Sequence, residues 1–215
     1  MTARNVGFDH IMQSLKRAAA ILRDAEVPFV LGGSIAAWAR GGPETTNDID
    51  LMLRHDDAER ALKALTEAGM RPDRPPEEWL LKAWDDDVMI DLIFSLSQGQ
   101  PVDDGVFERA EELEVLAMRM LVMDLDEIII TKLRALDDHY IEFVPLVQIA
   151  RALREKIDWL QVRAQTEGNP FAAAYFVLLE GLGIIERDEP ASSAIGVESP
   201  QAATHAFHPE PEPYR

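Results

Sequence analysis

The sequence predicts an α+β protein, in which a small mixed β-sheet with flanking helices is followed by a C-terminal helical unit. Short strand-like apolar segments alternate with amphipathic segments over residues 1–123. From residue 124 to 185 the apolar residues recur only at helical spacing. From residue 186 to 215 the composition becomes rich in proline and poor in large apolar side chains, which predicts an extended or disordered tail.

The first elements alternate between helix and strand. Residues 8–24 carry apolar side chains at helical spacing, which predicts an amphipathic helix. A short apolar strand at residues 29–31 then leads into Gly32-Gly33. Ser34 begins a second predicted helix, over residues 35–40, which the following Gly-Gly-Pro ends.

The next segment is predicted to contain a strand, a helix and then two further strands that pair as a hairpin. A strand at residues 48–54 precedes a helix that we expect Asp56 to cap and Gly69 to end. Residues 79–84 and 88–94 predict the hairpin, with a three-residue connection. Residues 95–104 are expected to form a loop, and the apolar residues 113–123 one or two further strands.

The helical unit is predicted to contain four helices. The first begins after Asp124 and continues to residue 136, and the second covers residues 141–155. The third is expected to begin at Asp158-Trp159, and the fourth to cover residues 171–182.

Composition limits the classes of function. The chain has 215 residues, a formal net charge of −18 and no cysteine, so disulfides and cysteine nucleophiles are excluded. The acidic balance counts against an extended nucleic-acid surface. The first residues lead into no apolar signal segment, and no apolar run approaches the roughly 20 residues that span a bilayer. We therefore expect a cytoplasmic protein without membrane contact.

Two acidic residues in an apolar strand are the first sign of chemistry. Asp48 and Asp50 are separated by Ile49 and followed by Leu51-Met52-Leu53. Alternate residues of a strand share a face, so the two carboxylates would lie side by side with Cα atoms roughly 6.5–7 Å apart. Their repulsion calls for a cation or a proton. The Gly32-Gly33-Ser34 turn upstream can present backbone N–H groups to an anion.

A third carboxylate stands in the hairpin. Asp91 is the only charged residue in the apolar segment 88–94, and a lone buried carboxylate is normally paired or metal-bound. If its strand neighbours the Asp48–Asp50 strand, the three carboxylates could surround one or two divalent cations, for which Mg²⁺ is the favoured ion. Taken singly, each motif has an ordinary structural interpretation: a common turn, a solvated strand edge, or an aspartate paired with an arginine.

Together these motifs resemble the polymerase-β-like nucleotidyltransferase superfamily. Its signature is an apolar residue and Gly-Gly or Gly-Ser, a spacer, and Asp-x-Asp within apolar residues, which Leu31 to Leu51 match. The resemblance implies that Gly32, Gly33 and Ser34 bind the nucleotide phosphates. It also implies that Asp48, Asp50 and Asp91 bind two Mg²⁺ ions, and that Asp91 helps to deprotonate the acceptor hydroxyl.

Residues 123–136 are similar to a helix of minimal bacterial nucleotidyltransferases, which include abortive-infection and toxin–antitoxin enzymes. In these enzymes a lysine at the position of Lys132 faces the triphosphate, which would make Lys132 a nucleotide-binding residue. A solvated helix position is the alternative for this side chain.

The function implied is the Mg²⁺-dependent transfer of a nucleoside monophosphate from an NTP such as ATP to an acceptor hydroxyl. The acceptor could be a small molecule, a protein or a tRNA end, and a cognate antitoxin could be a partner. The alternative is a nucleotide-binding or partner-binding module of the same fold with little turnover.

Overall fold

A computed structural model describes residues 7–46, 48–96 and 99–187 of the chain. The helices are α1 (Phe8–Asp24), α2 (Gly33–Ala39), α3 (His55–Glu67), α4 (Asp104–Arg109), α5 (Leu125–Arg134), α6 (Phe143–Leu153), α7 (Trp159–Gln165) and α8 (Pro170–Gly181). The strands are β1 (Val30–Leu31), β2 (Ile49–Met52), β3 (Arg71–Asp73), β4 (Leu80–Asp85), β5 (Val88–Ile93), β6 (Ser95–Leu96), β7 (Gln100–Pro101), β8 (Glu111–Val115) and β9 (Met118–Val122).

A mixed seven-stranded sheet forms the centre of the fold, in the order β3-β4-β5-β2-β1-β9-β8. The hairpins β4–β5 and β8–β9 are antiparallel, and so is the central pair β1–β2. Strand β2 pairs with β5 in parallel, and β1 pairs with β9 in parallel. This topology places the acidic strand β2 directly beside β5, and it confirms the predicted α+β class.

The hydrophobic core is continuous from the sheet into the C-terminal helices. Ile49, Leu51 and Ile90 are fully buried on one side of the central strands. Ile128 and Leu133 of α5 are fully buried in the same cluster. Helix α5 contacts α2, α7 and α8, and burial of its apolar face among these helices holds it in position beside the sheet domain. No helix among the described residues is long and apolar enough to cross a membrane.

Most predicted elements are present, and two details differ. Arg54 is the N-cap of α3, and Asp56 lies inside the first turn, where its charge still favours the positive helix end. Asp85 pairs with Val88, so the hairpin connection has two residues and not three. Asp86 makes this tight turn with a φ of 53°, which aspartate tolerates better than most residues.

Four short elements were not predicted. Strand β3 is an edge strand with the sequence Arg-Pro-Asp, which has no apolar alternation. Strands β6 and β7 lie within the segment expected to be a loop, and α4 follows that segment. Residues 188–215, which make up nearly all of the predicted tail, are outside the described residues.

Candidate active site

Asp50 and Asp91 are directly opposite each other on neighbouring parallel strands. The register of β2 and β5 pairs Asp50 with Asp91, Ile49 with Ile90 and Leu51 with Leu92. Strands in a sheet lie about 4.8 Å apart, so paired residues project their side chains to the same face at that spacing. The structure therefore brings the third carboxylate beside the Asp-x-Asp motif.

Asp48 completes the acidic group at the start of β2. Asp48 is more exposed than Asp50 and Asp91, which are partly buried, but its carboxyl group is still shielded from part of the solvent. The pKa of Asp48 is raised by burial and, to a lesser extent, by the charge of the nearby Asp91. Three acidic groups from two strands thus share one region of the sheet surface.

Burial and repulsion both raise the pKa values of the two inner carboxyls. Burial is the largest cause for Asp50, whose pKa rises to about 7, and the charges of Asp91 and Asp48 add to the rise. Burial also raises the pKa of Asp91, against the opposing hydrogen bond from Lys82. Such a group of carboxyls is favourable only with a bound proton or a bound cation.

Gly33 lies against the carboxylate of Asp50. Its φ of 61° is in the left-handed region, and a Cβ atom at this position would overlap Asp50 Oδ2. The N–H of Gly32 donates to the carbonyl of Asp50 at 2.8 Å, which fixes the turn to β2. The first turn of α2 therefore begins immediately beside the acidic group, and only glycine fits there.

Lys132 reaches the same place from α5. Its Nζ donates a 2.9 Å hydrogen bond to Ser34 Oγ in the first turn of α2. Burial lowers the pKa of Lys132, and the neighbouring Asp50 charge opposes that change. The structure thus brings the partly buried Lys132 side chain to the Gly-Gly-Ser turn, and its binding of a nucleotide stays a prediction.

An open cleft of about 460 Å³ begins at this group. Gly33, Asp50 and Lys132 line one part of it. The rest of its wall is largely apolar and includes Met52, Trp79, Ile93, Leu96 and Ala135. The cleft can therefore accommodate a ligand with an anionic part next to Lys132 and an apolar part next to these side chains.

Lys82 is a charged neighbour of the site that the sequence analysis did not single out. It is paired with Asp91 across the β4–β5 hairpin, and its Nζ donates to Asp91 Oδ1 at 2.8 Å. The side chains of Lys82 and Asp91 are only 19% and 14% exposed. Lys82 is the single charge in the apolar segment 79–84, and this signal could have identified it.

Comparisons with known proteins agree with the geometry. Residues 10–179, which are most of the chain, match the model of a family described as uncharacterised nucleotidyltransferase. The chain belongs to this nucleotidyltransferase family. A comparison with curated proteins found no match.

Two solved structures are similar to this chain. A candidate nucleotidyltransferase from Thermotoga maritima, TM1012, has a TM-score of 0.50 at 17% identity, over 75% of this chain and 99% of that chain. The enzyme ANT(2″)-Ia, solved in complex with adenylyl-2″-tobramycin, has a TM-score of 0.47 at 16% identity, over 80% of this chain and 96% of that chain. At 17% identity the likeness to TM1012 concerns the fold alone.

The carboxylate oxygens of Asp48 and Asp50 are the kind of ligand that a divalent metal ion prefers. Their negative charges are only partly balanced by neighbouring positive charges. The arrangement is not a ready three-ligand site. Among the described residues, no three acidic or histidine side chains are placed so that they could hold one ion together. Asp48 and Asp50 would hold the ion, while Asp91 is engaged by Lys82.

Proposed function

We propose that this nucleotidyltransferase transfers a nucleoside monophosphate from an NTP such as ATP to an acceptor hydroxyl in the presence of Mg²⁺. The observation that carries the proposal is the register of Asp50 and Asp91, next to the Gly33 turn that Lys132 contacts. An anion-binding turn, a lysine and a group of carboxylates side by side are suited to a metal-bound triphosphate.

The phosphates have two sources of positive potential in this site. The N-terminal turn of α2 presents backbone N–H groups of Gly33 and Ser34, and Lys132 supplies a charged donor within reach of that turn. Asp48 and Asp50 would hold the Mg²⁺, which neutralises charge on the phosphate oxygens when it is bound. The phosphates would therefore lie between Lys132 and the two aspartates.

Asp91 is suited to accept the proton of the acceptor. In the reaction, the acceptor oxygen forms a bond to the α-phosphorus, the bond from that phosphorus to the bridging oxygen breaks, and pyrophosphate leaves. The acceptor proton goes to the Asp91 carboxylate. Its pKa is raised by burial, which makes this carboxylate a better base than a solvated one.

The test is transfer of label from each of the four α-³²P-labelled NTPs to candidate acceptors with Mg²⁺. Wild-type protein is expected to release pyrophosphate and label an acceptor, and Asp48→Asn/Asp50→Asn is expected to do neither. Asp24→Asn/Asp56→Asn is the matched control, because it removes the same charge from two exposed positions away from the site. Equal transfer by wild-type protein and the Asp48→Asn/Asp50→Asn variant would refute the proposal.

The acceptor classes that follow from the chemistry are a small molecule, a protein hydroxyl and a tRNA end. A toxin function, with a cognate antitoxin as partner, rests on the resemblance of residues 123–136 alone. Expression of the wild-type protein in a bacterial host tests it. Growth arrest that disappears with Asp48→Ala would support a toxin, and normal growth of both strains would count against one.

A further inference from the structure

Three charged side chains of neighbouring strands and one of helix α5 lie together at the site. Lys82 of β4 pairs with Asp91 of β5, Asp91 pairs with Asp50 of β2, and Lys132 lies beside Asp50 at the Ser34 turn. The order of charges is positive, negative, negative, positive. Each inner carboxylate thus has one lysine as its neighbour on the outer side.

The two lysines differ in how they contact the carboxylates. Lys82 makes a direct ion pair with Asp91 at 2.8 Å, on a partly buried surface. Lys132 donates to Ser34 Oγ and influences Asp50 through its charge. One oxygen of Asp91 is therefore occupied by an ammonium group, while Asp50 has no comparable ion pair among the described residues.

The hairpin holds Lys82 in this position. Lys82 and Asp91 are directly opposite residues of an antiparallel pair, and the tight Asp86–Asp87 turn fixes that register. The Nζ atom of Lys82 also lies 3.3 Å from Met89 Sδ, so the aliphatic part of the Lys82 side chain lies along β5. The charge of Glu77 raises the pKa of Asp91, and the charge of Asp91 raises the pKa values of Asp48 and Asp50, so the other charged neighbours of Asp91 are acidic.

We propose that Lys82 is a positioning residue that acts as the resident counter-ion of Asp91 and keeps this carboxylate out of the metal site. It follows that the protein binds one divalent cation, at Asp48 and Asp50, and not the two expected from the sequence. A second cation would have to displace the Lys82 ammonium from Asp91 Oδ1. Lys82 also keeps Asp91 in place as the acceptor's base, and this part of the inference rests on the proposed function.

The experiment counts bound Mn²⁺ by electron paramagnetic resonance of the free ion, at fixed pH and with full-length protein. Binding is measured above the background of Asp48→Asn/Asp50→Asn, which subtracts ions on the acidic surface. Wild type is expected to bind one ion, and Lys82→Met two, because Asp91 becomes available as a ligand. Lys82→Arg retains the positive charge and is expected to bind one. Lys63→Met, at an exposed lysine of α3, is the matched control and is also expected to bind one.

The double variant Lys82→Met/Asp91→Asn protects the test against an unstable single variant. It removes both charges of the pair, and it is expected to bind one ion with an affinity within about threefold of wild type. Two ions bound by wild type, one ion bound by folded Lys82→Met, or loss of the first ion in the double variant would each overturn the inference.

The transfer assay separates the two proposals. If wild type transfers label, Lys82→Met is expected to lower kcat about tenfold or more while KM for the NTP changes little, since Asp91 loses its orientation. Lys82→Arg is expected to recover part of kcat. Unchanged kcat in Lys82→Met would overturn the positioning function and leave the proposed function intact. Absence of transfer by wild type would refute the proposed function, and the Mn²⁺ counts would still decide the metal stoichiometry.

Discussion

Lys132 Nζ donates a 2.9 Å hydrogen bond to Ser34 Oγ, although 98 positions separate the two residues in the chain. The contact joins α5 to the first turn of α2, which begins next to Asp50, and it sets a lysine at that turn. A buried ammonium group is costly unless an anion compensates it, and Asp50 does so only in part. The arrangement favours a further anion at this point, which the triphosphate would supply.

We expect Lys132→Met to weaken NTP binding about tenfold to a hundredfold, because one charge-assisted contact to phosphate is lost. Calorimetric titration of the Asp91→Asn background with NTP and Mg²⁺ measures binding without turnover. The matched control is Lys156→Met, whose Nζ donates to the carbonyl of Arg40 at an exposed position. Equal affinity of the Lys132→Met and Lys156→Met proteins would contradict the phosphate-binding function.

Gly33→Ala is expected to abolish transfer and to destabilise the fold, because its Cβ overlaps the Asp50 carboxylate. The matched control is Gly183→Ala. Gly183 has a φ of 65°, close to the 61° of Gly33, but its Cβ would meet nothing within 4 Å. The free energy of unfolding should therefore fall by only about 1 kcal/mol in Gly183→Ala, from backbone strain, and by about 2 kcal/mol or more in Gly33→Ala. Urea denaturation measures both, and equal losses would show that Asp50 does not constrain Gly33.

The sequence predicted the parts of the site that lie in strong local patterns. Asp48, Asp50 and Asp91 are charged positions in or beside apolar strands, and burial of a carboxylate is so costly that such a position is informative by itself. The neighbouring arrangement of β2 and β5 was a conditional expectation, which the parallel register confirms. The roles of these residues in catalysis stay predictions.

The Lys82–Asp91 pair depended on a register that the sequence did not define. A three-residue connection would place Lys82 opposite Ile90, and a shift of one residue moves a side chain to the other face of the sheet. The two-residue turn places it opposite Asp91. Short elements with polar sequences, such as α4 and β3, have no periodicity to indicate them, and they form because the sheet and its neighbours hold them.

The free energy of unfolding of the metal-free protein is expected to fall between pH 5 and pH 8. The pKa of Asp50 is raised to about 7, above its ordinary value of 3.8, so the folded state binds more protons than the unfolded state between these values. Stability from this group is greatest below pH 4 and is lost as the pH rises through 7. Urea denaturation in EDTA at pH 5, 6.5 and 8 measures the slope.

The Asp50→Asn variant lacks the titrating group. Between pH 5 and pH 8 its free energy of unfolding is expected to fall by on the order of 2 kcal/mol less than that of the wild-type protein. Asp56→Asn is the matched control, because Asp56 is fully exposed and should leave the wild-type slope unchanged. The same slope in wild type and Asp50→Asn would show that Asp50 is not the source of the pH dependence.

Ala117→Gly is expected to stabilise the protein by about 0.5–1 kcal/mol. Ala117 has a φ of 60° in the turn between β8 and β9, and glycine adopts this conformation without the steric cost that a Cβ brings. Strand β9 is parallel to β1, so this turn lies at the start of β9, away from the end of β1 that leads into Gly33, and transfer should be unchanged. Ala174→Gly, at an exposed interior position of α8, is the control and should lose about 1 kcal/mol, because glycine disfavours a helix interior. Thermal and urea unfolding measure the change in stability of both variants, which should have opposite signs. Destabilisation by Ala117→Gly would mean that the turn does not hold the left-handed conformation.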